Sequence, residues 1–306
     1  MASLKSLKVK IHSYKKTGTV TKAMQAVSAV KMRKSQERAL SGRVYAAAAL
    51  SILERVSGTT LAKLHTLAQT RDGKTCFVIV TSDKGLAGSL NSAVIRRAEQ
   101  EILARKLSKE DVVIIAVGRR GGEFFASRGY NVIARHENVS DGVDEEGMRM
   151  VTDTVLRLHG EGGIANCVVA YTNFISTFEQ EPVMRQIIPL TAEMFAQMVA
   201  GIRPAKGKYA PTPLEARGEK PATYTIEPDA DTVLSALLPK LLNISVFHTL
   251  LESKASEHSA RMVAMKSATD KANEMAGTYT RTFNKVRQAA ITREVSEITS
   301  GMEAMK

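Results

Sequence analysis

The chain has 306 residues and a formal net charge of +12, and aromatic residues make up only 5% of it, with no Trp. This length allows one large or two ordinary domains, and no run of 18 apolar residues occurs that could span a membrane. The two cysteines, Cys76 and Cys167, are far apart in apolar runs, and the six His residues lack metal-ligand spacing. We therefore expect two reduced core thiols and no metal site.

The N-terminal segment predicts one long amphipathic helix from about Ser3 to Ser57. Its apolar face is formed by Leu4, Leu7, Ile11, Tyr14, Met24, Val27 and Val30. Residues 1–43 contain eleven Lys or Arg against the single acid Glu37, a net charge of +10. Such a helix can bind nucleic acid, an acidic membrane surface or an acidic protein. An organellar targeting peptide is also basic and poor in acids, but here the segment continues into the helix without a cleavable boundary.

The middle of the chain alternates buried strands with helices. The predicted strands are Cys76–Thr81, Val112–Val117, Asn131–Ala134, Cys167–Thr172 and Pro182–Leu190. The predicted helices are Asn91–Lys106, Gly121–Arg128 and Glu145–His159. Continuous apolar strands that alternate with helices favour a mostly parallel α/β sheet. Residues 201–222, which are rich in Pro and Gly, predict an exposed loop or linker.

Two glycine motifs in this region could suggest nucleotide binding. Gly85–Gly88 follows a strand, but it lacks the third glycine of a dinucleotide fingerprint and the Lys-Ser/Thr of a P-loop. Gly73–Thr75 spells GKT, but Ala68 stands where the first glycine of a P-loop is needed. Asp83 at a strand end could be catalytic, although a carboxylate that fixes a turn is the better interpretation. We assign no catalytic residue and no cofactor.

The C-terminal segment predicts a second long helix. It begins after Glu227–Asp229, and Pro239 is expected to break or kink it once before an unbroken run over 253–303. The apolar face of that run is formed by Met262, Met265, Ala268, Ala272, Met275, Tyr279, Phe283, Val286, Ile291, Val295 and Ile298. Two helices of this length predict a coiled coil. The predicted domains are a helix over 1–70, an α/β domain over 71–225 and a helix over 226–306.

Several motifs carry a resemblance to one known family. Thr21–Met24 and Lys31–Gln36 resemble the first helix of the γ subunit of F-type ATP synthase, and Ser82–Asn91 resembles the signature of its central domain. Further matching stretches are Asn173–Thr177, Ile188–Leu190, Ala255–His258, Ala260–Met265 and Asn284–Thr292. The match covers the whole chain in order and begins within the first residues, which favours a bacterial member without a targeting peptide.

The resemblance implies a fold and a function. The fold would be an antiparallel coiled coil of the N- and C-terminal helices with a central Rossmann-like α/β domain. The function would be that of the rotor shaft, which couples proton flow through the membrane rotor to ATP synthesis or hydrolysis without catalysing either. About 50 residues of helix span about 75 Å, enough to pass through a ring of six subunits. The regulatory cysteines of the chloroplast branch are not present in 201–221.

The same resemblance implies partners and contact residues. The partners would be the ring of catalytic and non-catalytic subunits (α3β3), the ε subunit and the c-ring, with one shaft per complex. The complex would be peripheral on the cytoplasmic face of a bacterial inner membrane. The expected ring contacts are Lys22, Met24, Arg33, Lys34, Arg287, Gln288 and Thr292. Two alternatives remain: a basic coiled coil that binds nucleic acid, and an enzyme that binds a small molecule in the α/β domain.

Overall fold

A computed structural model describes residues 3–41, 66–69, 71–190 and 229–305. The helices are α1 (Leu4–Ser41), α2 (Leu90–Ala104), α3 (Arg119–Ser127), α4 (Glu145–Gly160) and α5 (Ala230–Glu303). The strands are β1 (Thr75–Val80), β2 (Val112–Val117), β3 (Asn131–His136), β4 (Asn166–Phe174) and β5 (Gln180–Ile188). The strands and helices predicted between 71 and 190 are confirmed, with ends that shift by no more than two residues.

The five strands form one mixed sheet in the order β3-β2-β1-β4-β5. Strands β3, β2, β1 and β4 run parallel to one another, and β5 pairs antiparallel with β4. Pro182 lies in β5 opposite Thr172, and since β5 is an edge strand, the missing N–H of this proline costs the sheet little. The mostly parallel sheet predicted from the sequence is therefore confirmed.

Alternate residues of each strand supply two separate cores, one on each face of the sheet. On one face, Phe77, Ile79 and Ile114 pack with Val94 of α2 and Phe125 of α3. The other face packs against α4 and α5 and includes Cys76, Val78, Val80, Val113, Ile115, Val117, Cys167, Val169, Tyr171, Val151, Val155, Leu241 and Leu250. Coverage of both faces explains why the parallel strands are apolar throughout.

The two cysteines lie side by side in the core. Cys76 of β1 and Cys167 of β4 are register partners, and both are fully buried as free thiols. Burial and the neighbouring Cys76 thiol raise the pKa of Cys167 well above its ordinary value. The expectation of two reduced core thiols is confirmed, because both cysteines are free and buried. The raised pKa keeps the Cys167 thiol protonated, and a protonated thiol is a poor nucleophile.

Helix α5 runs without a break from Ala230 to Glu303, and it includes Pro239. The helix is therefore not broken at Pro239, and the alternative expectation, a kink, stays a prediction. A proline inside a helix costs roughly 3 kcal/mol, but Leu238, Leu241 and Leu242 around it are almost completely buried. Each such side chain contributes about 1.5–3 kcal/mol, and this packing offsets the lost hydrogen bond. The carboxylate of Asp229 caps the start of the helix by accepting from the Thr232 amide at 2.8 Å.

The chain divides into two compact units, which we call the helix-pair unit (Met1–Ser28 and Arg261–Lys306) and the sheet unit (Ala29–Ala260). The three domain ranges predicted from the sequence stay a prediction, because Thr70 and residues 191–228 lie outside the described residues. The predicted continuation of the first helix to Ser57 and the loop over 201–222 lie outside them too. No helix of the described residues is long and apolar enough to cross a membrane.

Within the helix-pair unit, α1 and α5 run antiparallel. Tyr14 stacks on Tyr279 with ring centroids 5.4 Å apart and an interplanar angle of 13°, and the hydroxyls of Thr21 and Thr269 lie 2.6 Å apart. Gly18 faces Ala272 and Asn273, and a Cβ at Gly18 would lie 3.7 Å from the Ala272 Cβ and 3.0 Å from the Asn273 side-chain oxygen. As residue numbers rise along α1 they fall along α5, so the predicted antiparallel pairing is confirmed.

The predicted apolar face of α1 is only partly correct. Leu7, Ile11 and Tyr14 lie in the seam, but Val27 and Val30 are 56% and 70% exposed. The seam continues instead through Gly18, Thr21 and the buried Ser28. These positions keep the three-four spacing of a coiled coil, and their small or polar side chains hide the seam from a search for apolar residues.

One glycine of the sheet unit is required by a close backbone crossing. Gly118 follows β2 with φ +90°, and a Cβ there would overlap the carbonyl oxygen of Thr81. We expect Gly118→Ala to lower the free energy of unfolding by about 1–3 kcal/mol, through overlap and a strained φ. Urea unfolding followed by circular dichroism measures this. The control is Gly160→Ala, since a Cβ there meets nothing within 4 Å; equal effects would contradict the argument.

Candidate partner-binding surfaces

The crevice where an open α/β sheet binds its ligand lies at the carboxyl ends of the strands. Here it is filled by α5, whose Leu250, Ser253 and Glu257 lie against the ends of β1 and β2. The cavity that remains between Val80 and Lys254 has a volume of about 10 Å³, the size that a single water molecule needs. At the ends of β1 and β2, the described residues therefore leave no space for a nucleotide or another small substrate.

Asp83, the candidate catalytic carboxylate, fixes two loops at this edge. One of its carboxylate oxygens accepts from the backbone amide of Arg119 at 3.1 Å, and the other accepts from the amide of Asn138 at 3.0 Å. Arg119 is the first residue of α3, so Asp83 occupies the helix N-terminus where an anion would bind. The structural interpretation of Asp83 is confirmed, and the catalytic one is wrong.

The glycine loop at 85–88 is closed by hydrogen bonds between two residues that flank it, Ser82 and Asn91. The backbone amide of Ser82 donates to the Asn91 carbonyl oxygen at 2.9 Å, and the Asn91 amide donates back to the Ser82 hydroxyl at 2.8 Å. Leu86 stands at the tip of this loop with φ 63° and is 62% exposed. The loop is thus a rigid projection with an apolar tip, which suits contact with a protein better than a phosphate cradle.

Tyr171 is a second group with a strongly raised pKa, a feature that can mark a catalytic residue. Burial raises the pKa of this phenol well above its ordinary value, and the nearby charge of Glu252 raises it further, while Arg185 acts in the opposite direction. The Arg185 guanidinium lies 5.2 Å from the centre of the Tyr171 ring. Tyr171 is completely buried in the core beneath α5, so its hydroxyl is not accessible to a substrate.

The seven residues predicted as ring contacts lie on the two long helices. Six of them are exposed, and Met24 is half-buried beside the seam. Lys22, Met24 and the three residues of α5 belong to the helix-pair unit, whereas Arg33 and Lys34 belong to the sheet unit. Thr292 and Gln288 share one face of α5, since the Thr292 hydroxyl donates to the Gln288 carbonyl at 3.0 Å. Their contact with a ring stays a prediction.

The end of α5 carries an apolar stripe, which we call the C-terminal stripe. Its members are Ile291, Val295, Ile298, Met302 and Met305, which are 52–90% exposed. The sequence analysis placed the first three on the apolar face of this helix, and the structure leaves them exposed. Covered seam positions of α5 end near Ala290, and every described residue from Ile291 onward is exposed. The three-four spacing continues, so this surface has the pattern of a seam without a partner helix.

A polar cluster around Asp141 was not predicted from the sequence. Asp141 lies between β3 and α4, and its carboxylate contacts Lys31 Nζ of α1 and His258 Nε2 of α5, each at 2.7 Å. Its backbone carbonyl accepts from the Ser35 hydroxyl at 3.1 Å. Burial opposes ionisation of Asp141, but the hydrogen bond from Lys31 and the charge of His258 outweigh it, so the pKa of Asp141 is lowered.

These features define a class of protein in which an α/β domain is combined with a pair of antiparallel terminal helices, one of which covers the carboxyl edge of the sheet. The ATP synthase family model matches residues 3–305. The ATP synthase gamma chain of Pelotomaculum thermopropionicum is 38% identical over 308 residues, and that of Heliobacterium modesticaldum is 35% identical over 306 residues. Both matches cover all of this chain and all of the relative.

Solved structures show the same fold. The central stalk of the Tetrahymena thermophila mitochondrial ATP synthase matches with a TM-score of 0.58 at 23% identity, covering 81% of this chain and 99% of that one. A chain of the Euglena gracilis mitochondrial ATP synthase matches with a TM-score of 0.63 at 17% identity, covering 99% of this chain and 94% of that one. The Rossmann-like domain with paired terminal helices, predicted from the sequence, is confirmed.

The chain belongs to the ATP synthase gamma chain family. The gamma chain is the rotor subunit of the central stalk and is not catalytic, since the catalytic sites lie on the beta subunits. The part of the ATP synthase complex that contains the gamma chain is peripheral to the membrane. The predictions of rotor function and of a non-enzymatic chain are confirmed, and the nucleic-acid-binding alternative receives no support.

The lowered pKa of Asp141 predicts a pH-dependent stability. Its contribution is present above the ordinary value of about 3.9 and is lost as the pH falls through the lowered value of the folded state. We expect Asp141→Asn to reduce the free energy of unfolding by at most about 1 kcal/mol at neutral pH, because the carboxylate is 35% exposed and is screened by solvent.

Urea midpoints measured from pH 7 downward check this expectation, since the difference between variant and wild type should begin to decline near pH 4 and disappear below the lowered pKa of Asp141 in the folded state. The control is Asp153→Asn, which changes an exposed carboxylate of α4. A difference for Asp141→Asn that grows on acidification would show that the carboxylate is not stabilised in its charged form.

Proposed function

We propose that the helix-pair unit is the part of this chain that turns inside the catalytic ring, with the C-terminal stripe in the ring's bearing. The observation that carries the proposal is the stripe itself. Four apolar residues on one helix face, Ile291, Val295, Ile298 and Met302, and Met305 just beyond the helix end have no cover among the described residues. An apolar surface that is rotating must slide, and apolar contacts suit sliding because they are not directional.

The charge of α1 supports a second type of ring contact. In the helix-pair unit, Lys5, Lys8, Lys15, Lys16 and Lys22 are exposed, and the first turn of α1 has no acid. A basic face of this kind fits acidic segments of the ring subunits. Exposed ion pairs are worth roughly 0–1 kcal/mol each, so a shaft can exchange them between three successive subunits without being locked to any one.

Coupling requires that the shaft present different surfaces to the three catalytic subunits. A contact shifts an equilibrium between two conformations only by the difference of its free energy in the two. The two helices meet this requirement, because α1 presents lysines while the end of α5 presents apolar residues beside Arg287 and Gln288. We infer that Met24, Arg33, Lys34 and Thr292 also contact the ring in part of each turn.

The proposed partners follow from the relatives. The Tetrahymena match is described as central stalk and c-ring, and the Euglena match as part of an F1/c-ring assembly with OSCP. We infer that this chain joins an α3β3 ring, an ε subunit and a c-ring, with one copy per complex. Because its relatives at 35–38% identity are bacterial, the proposed location is the cytoplasmic face of the inner membrane.

Native mass spectrometry of the co-purified complex tests the proposal directly. The chain is expressed with the ring subunits of the same genome, and the affinity tag is placed on a ring subunit. One copy of this chain per six-membered ring is expected. A cysteine at Ile298, cross-linked to the ring under oxidising conditions, should stop ATP hydrolysis until a reductant is added.

Two results would contradict the proposal. Free ring and free chain in the spectrum would show that the chain is not a ring component. Unchanged ATP hydrolysis after complete cross-linking would show that the helix does not turn relative to the ring. Retention of nucleic acid that is lost as salt is raised would instead support the basic coiled-coil alternative.

The predicted contacts Gln288 and Thr292 give a mutational test. We expect the double change Gln288→Ala and Thr292→Ala to lower coupled ATP synthesis several-fold, since each lost polar contact is worth roughly 0.5–1.5 kcal/mol. Stability should change by no more than about 0.5 kcal/mol, because both side chains are exposed. Synthesis in membrane vesicles and thermal unfolding of the chain measure the two effects.

The matched control is Thr278→Ala with Thr282→Ala. These two threonines are exposed on the same helix with the same spacing, and both hydroxyls donate to a carbonyl four residues earlier at 3.0 and 3.1 Å. The control pair should leave synthesis close to wild type. Failure of the Gln288/Thr292 double variant to assemble would show that these residues are structural and not coupling contacts.

A further inference from the structure

The loop Glu137–Asp144, which joins β3 to α4, contacts one face of helix α1 in the sheet unit. Asp141 binds the Lys31 ammonium through its carboxylate and the Ser35 hydroxyl through its backbone carbonyl. Gly142 lies directly against the guanidinium group of Arg38, where a Cβ would overlap it. Lys31, Ser35 and Arg38 follow the spacing of one helix face, so the loop meets α1 along two turns.

Helix α5 holds the same loop from its own side. His258 Nε2 lies 2.7 Å from the second carboxylate oxygen of Asp141, and the His258 side chain is only 4% exposed. The next residue of α5, Ser259, donates to the Thr177 carbonyl at 2.7 Å, and Ser256 donates to the Thr172 carbonyl at 3.1 Å. This part of α5 is therefore hydrogen-bonded to the sheet as well as packed on it.

Asp141 thus contacts three elements at once: its own loop, α1 and α5. We propose that Asp141 is a positioning residue for rotary coupling, because it clamps α1 to α5 and to the sheet so that torque applied to the sheet unit turns both helices together. This proposal rests on the rotor function, and it concerns a residue that does not touch the ring. The residues that form the clamp are Lys31, Ser35, Asp141 and His258.

The physical need for such a clamp comes from the nature of the seam. Apolar packing is favourable at many rotations of a helix about its axis, whereas a hydrogen bond weakens steeply when its angle changes. Buried Ser35 is 1% exposed and points at a carbonyl, so rotation of α1 breaks a bond that water cannot easily replace. Asp141 adds an ion pair with Lys31 on one side and a hydrogen bond with His258 on the other, and these two contacts favour one register of the two helices.

Lys31 offers the sharpest test because its side chain is 48% exposed, so its replacement is compatible with folding. Lys31→Met keeps most of the length and removes the charge, and Lys31→Arg keeps the charge and the donor. The third variant is Asp141→Asn. The matched control is Lys240→Met, which removes an exposed charge from α5 in the same unit. Each variant is measured in the complete membrane-bound complex.

The measured quantity is proton pumping per ATP hydrolysed, with the assembled complex checked by native mass spectrometry. Lys31→Met and Asp141→Asn should retain ATP hydrolysis within about twofold and lose about threefold or more of pumping per ATP, the size of effect of one coupled contact. Lys31→Arg should restore pumping per ATP to nearly the wild-type ratio, and Lys240→Met should not change it.

Three outcomes would overturn the proposal. Pumping per ATP that is unchanged in both Lys31→Met and Asp141→Asn would show that torque does not depend on the clamp. Loss of assembly in both variants would show a role in folding alone, and equal losses in Lys31→Arg and Lys31→Met would show that the charge is irrelevant. A wild-type chain that failed to join the ring would instead contradict the rotor function itself.

Discussion

The structure depends on the burial of one helix against one face of the sheet. Between Leu238 and Ser259, α5 is buried almost all round, and its Leu241, Leu242 and Leu250 complete the core that Val78 and Val80 begin. Without this helix, that face of the parallel sheet would expose a continuous apolar surface, which parallel sheets do not tolerate. From Arg261 onward the same helix buries only every third or fourth residue, and from Ile291 onward none of the described ones.

This burial also decides what the α/β domain can do. The domain has the strand order of a sheet that could hold a ligand at its carboxyl edge, but the helix that stabilises it occupies the crevice, and Asp83 occupies the N-terminus of α3. The domain keeps the stability of a ligand-binding fold while its surface becomes available for contacts with other subunits. In this rotor subunit the core therefore occupies the space at the ends of β1 and β2 where such a sheet could hold a ligand.

Apolar burial and directional polar contacts have different roles in this chain. Packing supplies most of the stability, since each buried large side chain contributes about 1.5–3 kcal/mol. Register comes from contacts with strict geometry, such as the Thr21–Thr269 hydroxyl pair in the helix-pair unit and Asp141 with its partners in the sheet unit. A rotor needs both, because a shaft that is stable but free to slip would dissipate the torque that it receives.

Periodicity and local chemistry were sufficient to predict the five strands, the helices between them and the two long terminal helices, because each depends on neighbours in sequence. The family followed from motifs such as Ser82–Asn91 and Asn284–Thr292. The tertiary structure alone decided that Pro239 stays inside a helix, that Val27 and Ile291 are exposed, and that Asp141 joins Lys31 to His258. These features depend on contacts between residues more than a hundred positions apart. A local sequence pattern contains no information on the energies of such contacts.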